Sequence, residues 1–223
     1  MDVSKRPGLS RQTLIDTALR LLDEVGLDGL TVRRLAAELG VKSPALYWHI
    51  RTKQELLDGM ADSIVQAAGM GPPRDGEPWQ DWLARRARAY RASLAAYRDG
   101  ARVVTNARAL SPATIQAFEE ELTAMVERGF TPVLALRTVA TLSQYVNGFV
   151  LQEQSAPDAP AVPPSALLED AGRSTLVTAV RETGTLRAAL LDGGGSGGEQ
   201  TFEHGLQVLI DGTAAALART SNP

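Results

Sequence analysis

A chain of 223 residues, 44% apolar, can bury one large core or two smaller ones, and few aromatics (5%) beside abundant Ala and Leu favour helix over strand. The absence of cysteine excludes disulfides, thiol catalysis and cysteine-ligated metal, and no run of about 18 apolar residues suggests a membrane span. The net charge of −3 is uneven: residues 1–60 hold nine Lys/Arg against eight Asp/Glu, the remainder fourteen against eighteen. This is compatible with nucleic-acid contact at one end, although an ordinary solvated surface gives the same count.

The N-terminus lacks an apolar signal core, so a cytoplasmic protein is expected. Ser10 is a natural cap for a first helix, with Leu9 and Leu14 at the two positions of a hydrophobic staple. Leu14, Ala18, Leu21, Leu22 and Val25 then recur at helical spacing until Gly26 offers a stop. Thr31 caps a second helix, stapled by Leu30 and Leu35 and ended by Gly40. Ser43 and Pro44 open a third, read as its cap and first residue. Thr52 and Glu55 form a capping box for a fourth, running to about Ala68. Three helices in residues 10–51, the last two short and tightly joined, make a helix-turn-helix pattern.

"GMGPPRDGEP" (69–78) reads as a hinge. Helices are expected from Pro78 to Arg98, near 101–108, from Ser111–Pro112 to Gly129 and from Thr131–Pro132 to Gln154. A Pro/Ala loop follows at 155–165, then a helical stretch at 166–191, a "GGGSGG" link at 193–198 and a last helix from Glu199 to Arg219. No strand pattern and no internal repeat is apparent. The fold class is therefore all-α: a three-helix helix-turn-helix head over residues 1–68, including a linking helix 53–68, and a helical body over 69–223.

The short helix in "SPALYWHI" (43–50) carries the functional signal. Leu46 and Ile50 share one face and suit burial. Burying Tyr47 and Trp48 as well would require cover all round, which is the alternative, purely structural reading. Left exposed, the helix can enter a major groove. There Pro44 and Ala45 suit thymine methyls, and Tyr47 and His49 reach phosphate oxygens. Lys53 lies near the backbone, and Arg33 can meet a guanine edge or a phosphate.

The residues "GLTVRRLAAELGVKSPALYWHIRTKQELLDGM" (29–60) closely resemble the TetR family of repressors. "EPWQDWL", "AYRDGARV", "ERGFT", "GFVLQEQ" and "FEHGLQVLIDG" extend the resemblance to the body of its tetracycline-repressor branch. The resemblance implies an all-helical homodimer, joined through the helices at 132–154 and 199–219, that binds a palindromic operator and releases it when an effector occupies the body. It implies a DNA-contacting set of Val32, Arg33, Lys42, Ser43, Pro44, Ala45, Tyr47, Trp48, His49 and Lys53. Ser43 replaces a base-reading glutamine of that branch and Ala45 a threonine, so a different operator sequence is expected.

Departures in the body concern the effector. A magnesium-ligating histidine of that branch matches Val104, and a ligating glutamate matches Gln152. A drug-gripping asparagine matches Arg86, and a pocket phenylalanine matches Tyr90. Valine ligates no metal, so an effector other than Mg–tetracycline is expected, with no metal or cofactor. Candidate polar groups are Arg86, Tyr90, Asn106, Arg108, Glu121, Gln144, Asn147 and Gln152. Candidate walls are Trp82, Val104, Phe118, Met125, Tyr145 and Phe149. The plainer alternatives are a solvated face for the "RRAR" run, core for the aromatics at helical spacing, and close helix approach for Asn147–Gly148. A medium-sized, partly apolar ligand with an acceptor or acidic group for Arg86 or Arg108 is the expectation.

An enzyme is not expected. Only His49 and His204 are present, Glu203 and His204 are helix neighbours that do not face each other, and "GGGSGG" lacks the G-K-[ST] of a phosphate loop. A regulator whose body serves only dimerisation, either constitutive or controlled by another protein, remains the alternative.

Overall fold

The computed structural model describes residues 9–155, 184–185 and 198–220, and every regular element among them is a helix. The head comprises α1 (Arg11–Gly29), α2 (Val32–Glu38), α3 (Ser43–Leu46) and the linking helix α4 (Lys53–Ala67). The body comprises α5 (Trp79–Ala95), α6 (Gly100–Thr105), α7 (Pro112–Val126), α8 (Pro132–Gln154) and α9 (Glu199–Thr220). The loop read at 155–165, the helix at 166–191 and the link at 193–198 lie, but for Ser155, 184–185 and Gly198, outside the described residues.

Local chemistry sets the boundaries. Ser10, Thr31, Thr52, Ser111 and Thr131 each accept a backbone N–H three residues on, at 3.0–3.2 Å. The box at α4 is closed differently from expectation: Glu55 accepts from the N–H of Arg51, at 2.9 Å, rather than from Thr52. Gly26 takes φ +67° and breaks α1, and a short turn to Gly29 resumes beyond it. Helix α5 ends at Ala95, three residues earlier than expected, because the chain turns into Asp99, the one described non-glycine residue at positive φ.

Two readings are corrected. Ser43 does not cap α3. Lys42 occupies that position without a side-chain bond, because the turn is already tied by the N–H of Ala45 to the Lys42 carbonyl at 2.9 Å. The helix proper is then one turn, extended by a turn at Tyr47–His49. Gly148, read as a site of close approach, faces open space; the close approach is at Gly205, where a Cβ would stand 2.3 Å from the Tyr145 hydroxyl.

Leu14, Ile15, Ala18, Leu21 and Leu22 of α1 meet Leu35, Leu46, Ile50, Leu56 and Met60 in the core of the head. That core continues through Ile64 and Val65 into the body, where Trp82, Leu83, Leu94, Val103, Met125, Val146 and Phe202 are buried. Helix α4 therefore belongs to both units: it packs on α1 and also on α5, α6 and α7.

Candidate functional site

Two surfaces stand out, one in the head and one in the body. In the head, Leu46 and Ile50 are buried, holding α3 against α1 and α2. Their burial leaves Trp48 89% and Tyr47 52% exposed. Arg33, Lys42, Pro44 and Lys53 are also exposed, while Val32, Ser43, Ala45 and His49 are partly so. The aromatic pair and three cations, Arg33, Lys42 and Lys53, are thus left outside the core of the described residues.

In the body, a half-open cavity of about 560 Å³ lies between α4, α5, α7 and the segment joining α6 to α7. Five of the expected residues line it: Arg86, Tyr90, Val104, Arg108 and Phe118. The others do not. Trp82 is core, its Nε1–H donating to the Gly71 carbonyl at 3.0 Å, and Met125 is buried. Gln144 and Gln152 are exposed on α8. Asn147 stands behind Tyr90, accepting its hydroxyl proton at 3.2 Å. Asn106 is exposed, Tyr145 stacks on Phe202, and Phe149 meets Phe202 edge to face.

Glu121 is fully buried and lies behind the cavity wall. It accepts from Arg86 Nε at 2.9 Å and from the Gly71 N–H at 3.1 Å, so Arg86 enters the wall already paired. Arg86 also sits 5.7 Å from the centre of the Phe118 ring. Burial pushes the Tyr90 hydroxyl above its ordinary pKa, so it is a neutral donor to Asn147. Val65, Met70, Leu110, Ile115 and Ser143, with Ala68, Ala107 and Ala109, complete the lining and were not legible in the sequence. They come from α4, the hinge after it, the link from α6 to α7, α7 and α8, and no periodicity joins them.

The cavity wall is laced to the linking helix. Gln54, Asp58, Asp62 and Gln66 recur every fourth residue and form one stripe of α4. Gln54 donates to the Asn106 carbonyl at 3.0 Å, and Asp58 accepts the Arg108 N–H at 2.8 Å. Asp62 accepts the Ser111 N–H at 2.9 Å and the Thr114 hydroxyl at 2.6 Å, and Gln66 donates to Thr114 at 2.9 Å. Within the stripe, Gln54 also bonds Asp58 and Gln66 bonds Asp62.

Residues 14–60 match the family model "Bacterial regulatory proteins, tetR family", and residues 72–217 match "Tetracyclin repressor-like, C-terminal domain". This chain belongs to the TetR family. The tetracycline repressor protein class A of Escherichia coli transposon 1721 is 39% identical over 207 residues, covering 92% of this chain and 91% of that protein. The Escherichia coli class D tetracycline repressor is 37% identical over 214 residues, covering 94% and 91%. A possible TetR family transcriptional regulator from Streptomyces coelicolor A3(2) superposes with a TM-score of 0.75 at 34% identity, covering 93% of this chain and all of that one. Apo ActR from Streptomyces coelicolor superposes at 0.78 with 26% identity, covering 95% and 98%. This TetR-family chain thus keeps the fold of those regulators, and among its described residues no helix is long and apolar enough to cross a membrane.

Proposed function

We propose that this TetR-family protein is a cytoplasmic, ligand-responsive transcriptional regulator, acting as a repressor. Residues 1–68 bind a palindromic operator and residues 69–223 hold an effector and dimerise. The bare turn around Trp48 supports the first role, with Val32, Arg33, Lys42–Ala45, Tyr47–His49 and Lys53 as the contacting set. Val133, Leu136 and Val208, each more than half exposed on α8 and α9, support a dimer face on those helices. A twofold axis there would set two α3 helices about 34–36 Å apart, one turn of B-DNA.

The laced cavity wall is the observation that carries the switch. The segment 106–114 lines the cavity and is bonded to α4 along most of that helix. An effector that repositions this segment repositions α4, and α4 carries the head. Full switching needs a differential affinity of about 10⁴ between the two states, about 5.5 kcal/mol, shared over two sites.

The lining does not suit a metal-chelated drug. It offers arginine, tyrosine, serine and carbon, and Gln152 is exposed, whereas magnesium takes hard oxygen donors. The effector is a medium-sized, partly apolar compound other than Mg–tetracycline. Fluorescence anisotropy of a duplex carrying the palindrome beside the gene tests the reading. Salt-sensitive binding by a dimer, relieved by a compound that occupies the cavity, is expected. Binding that no cavity ligand relieves would leave only the alternative regulator, whose body serves dimerisation alone.

A further inference from the structure

We infer that the cavity takes a monoanionic, largely apolar compound, its acid group held by Arg108 and a neutral acceptor held by Arg86. This rests on the reading of the cavity as the effector site, and it names the ligand's chemistry.

The charge inventory carries the inference. The cavity lining contains two arginines and no Asp, Glu, Lys or His. The arginines differ. Arg86 is nearly buried and its charge is cancelled by the fully buried Glu121. Only its Nε is used in that contact, so its terminal N–H groups remain donors from a neutral pair. A carbonyl or phenolic oxygen suits them, whereas a second carboxylate beside Glu121 would be repelled. Arg108 is exposed, and among the described residues its guanidinium has no ion-pair or hydrogen-bond partner. Asp58 binds its backbone N–H but makes no ion pair with its side chain. One positive charge at the opening is therefore left over. Between the two arginines the surface is carbon: Val65, Val104, Ile115 and Phe118, with Ile115 58% exposed. Buried apolar area there supplies affinity, and the spare cation selects one acid group.

The test is a pair of fluorescent probes with one hydrocarbon skeleton: 8-anilinonaphthalene-1-sulfonate, which is anionic, and N-phenyl-1-naphthylamine, which lacks the sulfonate. Hydrophobic transfer alone favours the neutral probe. The full-length protein is expected to bind the sulfonate about ten-fold more tightly, as one charge-assisted contact would give. Arg108→Gln should abolish that preference while leaving the neutral probe's Kd within about two-fold. Val104→Trp, or Ala107→Trp if the first variant fails to fold, should remove both probes by filling the cavity. Equal affinities, or a preference that survives Arg108→Gln, would overturn the acid assignment and leave the cavity as effector site intact. Retention of both probes after either tryptophan substitution would remove the cavity reading itself.

Discussion

Glu121 and Trp48 mark the two extremes of this molecule, a carboxylate with no exposure and an indole with almost nothing else. The carboxylate is tolerable only because Arg86 and the Gly71 N–H satisfy both its oxygens. Glu121→Ala should therefore destabilise the fold by about 3 kcal/mol or more, since it leaves Arg86 nearly buried and unpaired. Urea unfolding measures this. Replacing both partners with Leu and Met should recover much of the loss, which separates a broken pair from a mere cavity. Trp48 makes the opposite forecast. Trp48→Ala should change stability by no more than about 0.5 kcal/mol, because the ring is left almost wholly uncovered by the described residues. Operator affinity should nonetheless fall about ten-fold or more, or about 1.4 kcal/mol. Parallel thermal melts and anisotropy titrations separate the two effects.

Helix α4 joins the two units, since its apolar side completes the head core while its polar stripe holds the cavity wall. Asp62 receives both Ser111 and Thr114, which makes it the strongest rung. Asp62→Ala should leave operator binding without ligand nearly unchanged and weaken the effector's influence by about 0.5–2 kcal/mol of coupling. Operator titrations at fixed effector measure it; coupling that survives intact would mean the stripe only fastens the loop. The hinge before α5 is a second electrostatic element. Glu77 is gripped by Arg85 through two bonds of 2.8 Å and by the Arg74 N–H, and these hold its carboxyl down at about 2 from an ordinary 4.5. A depressed carboxylate contributes stability above its unfolded value and loses it as pH falls towards its folded one. Melting temperature should drop between pH of about 4.5 and 2, and Glu77→Gln should flatten that drop. Glu203, lowered by Arg88, and Asp28, lowered by Arg102, add to the same slope.

For the whole molecule, the proposed twofold symmetry is what a variant can break. If α8 and α9 form the dimer face, Leu136→Glu on the exposed side of α8 should give a folded monomer and cost operator binding, because one α3 reads only half a palindrome. Sedimentation and circular dichroism together check this. Operator affinity of the wild type should fall on the order of a thousand-fold between roughly 50 and 200 mM salt, as neutralisation of several phosphates requires. Over residues 1–68 Lys/Arg and Asp/Glu balance at nine each, so the salt dependence would come from Arg33, Lys42 and Lys53, which are exposed around α3 rather than dispersed.

The sequence alone determined the starts of most of the described helices and the exposed side of α3. Caps at Ser10, Thr31, Thr52, Ser111 and Thr131 act within four residues, so they are visible in the chain itself, and the pairing of Leu46 with Ile50 already foretold which side of α3 stays bare. Local details that escaped include the start of α3, where a backbone turn at Lys42 outranked the serine beside it, and the end of α5, set by the turn into Asp99. What only the tertiary structure decided is the cavity. Trp82 and Met125 looked as suitable as Val104 and Phe118, because residue type says that a side chain is apolar but not whether its neighbours close over it. Likewise "RRAR" gave no hint that Arg86 would find Glu121, 35 residues on, as its ion-pair partner, while Arg108 would find none among the described residues. Pairings at that distance arise from how helices cross, and a helix carries no record of what lies against it.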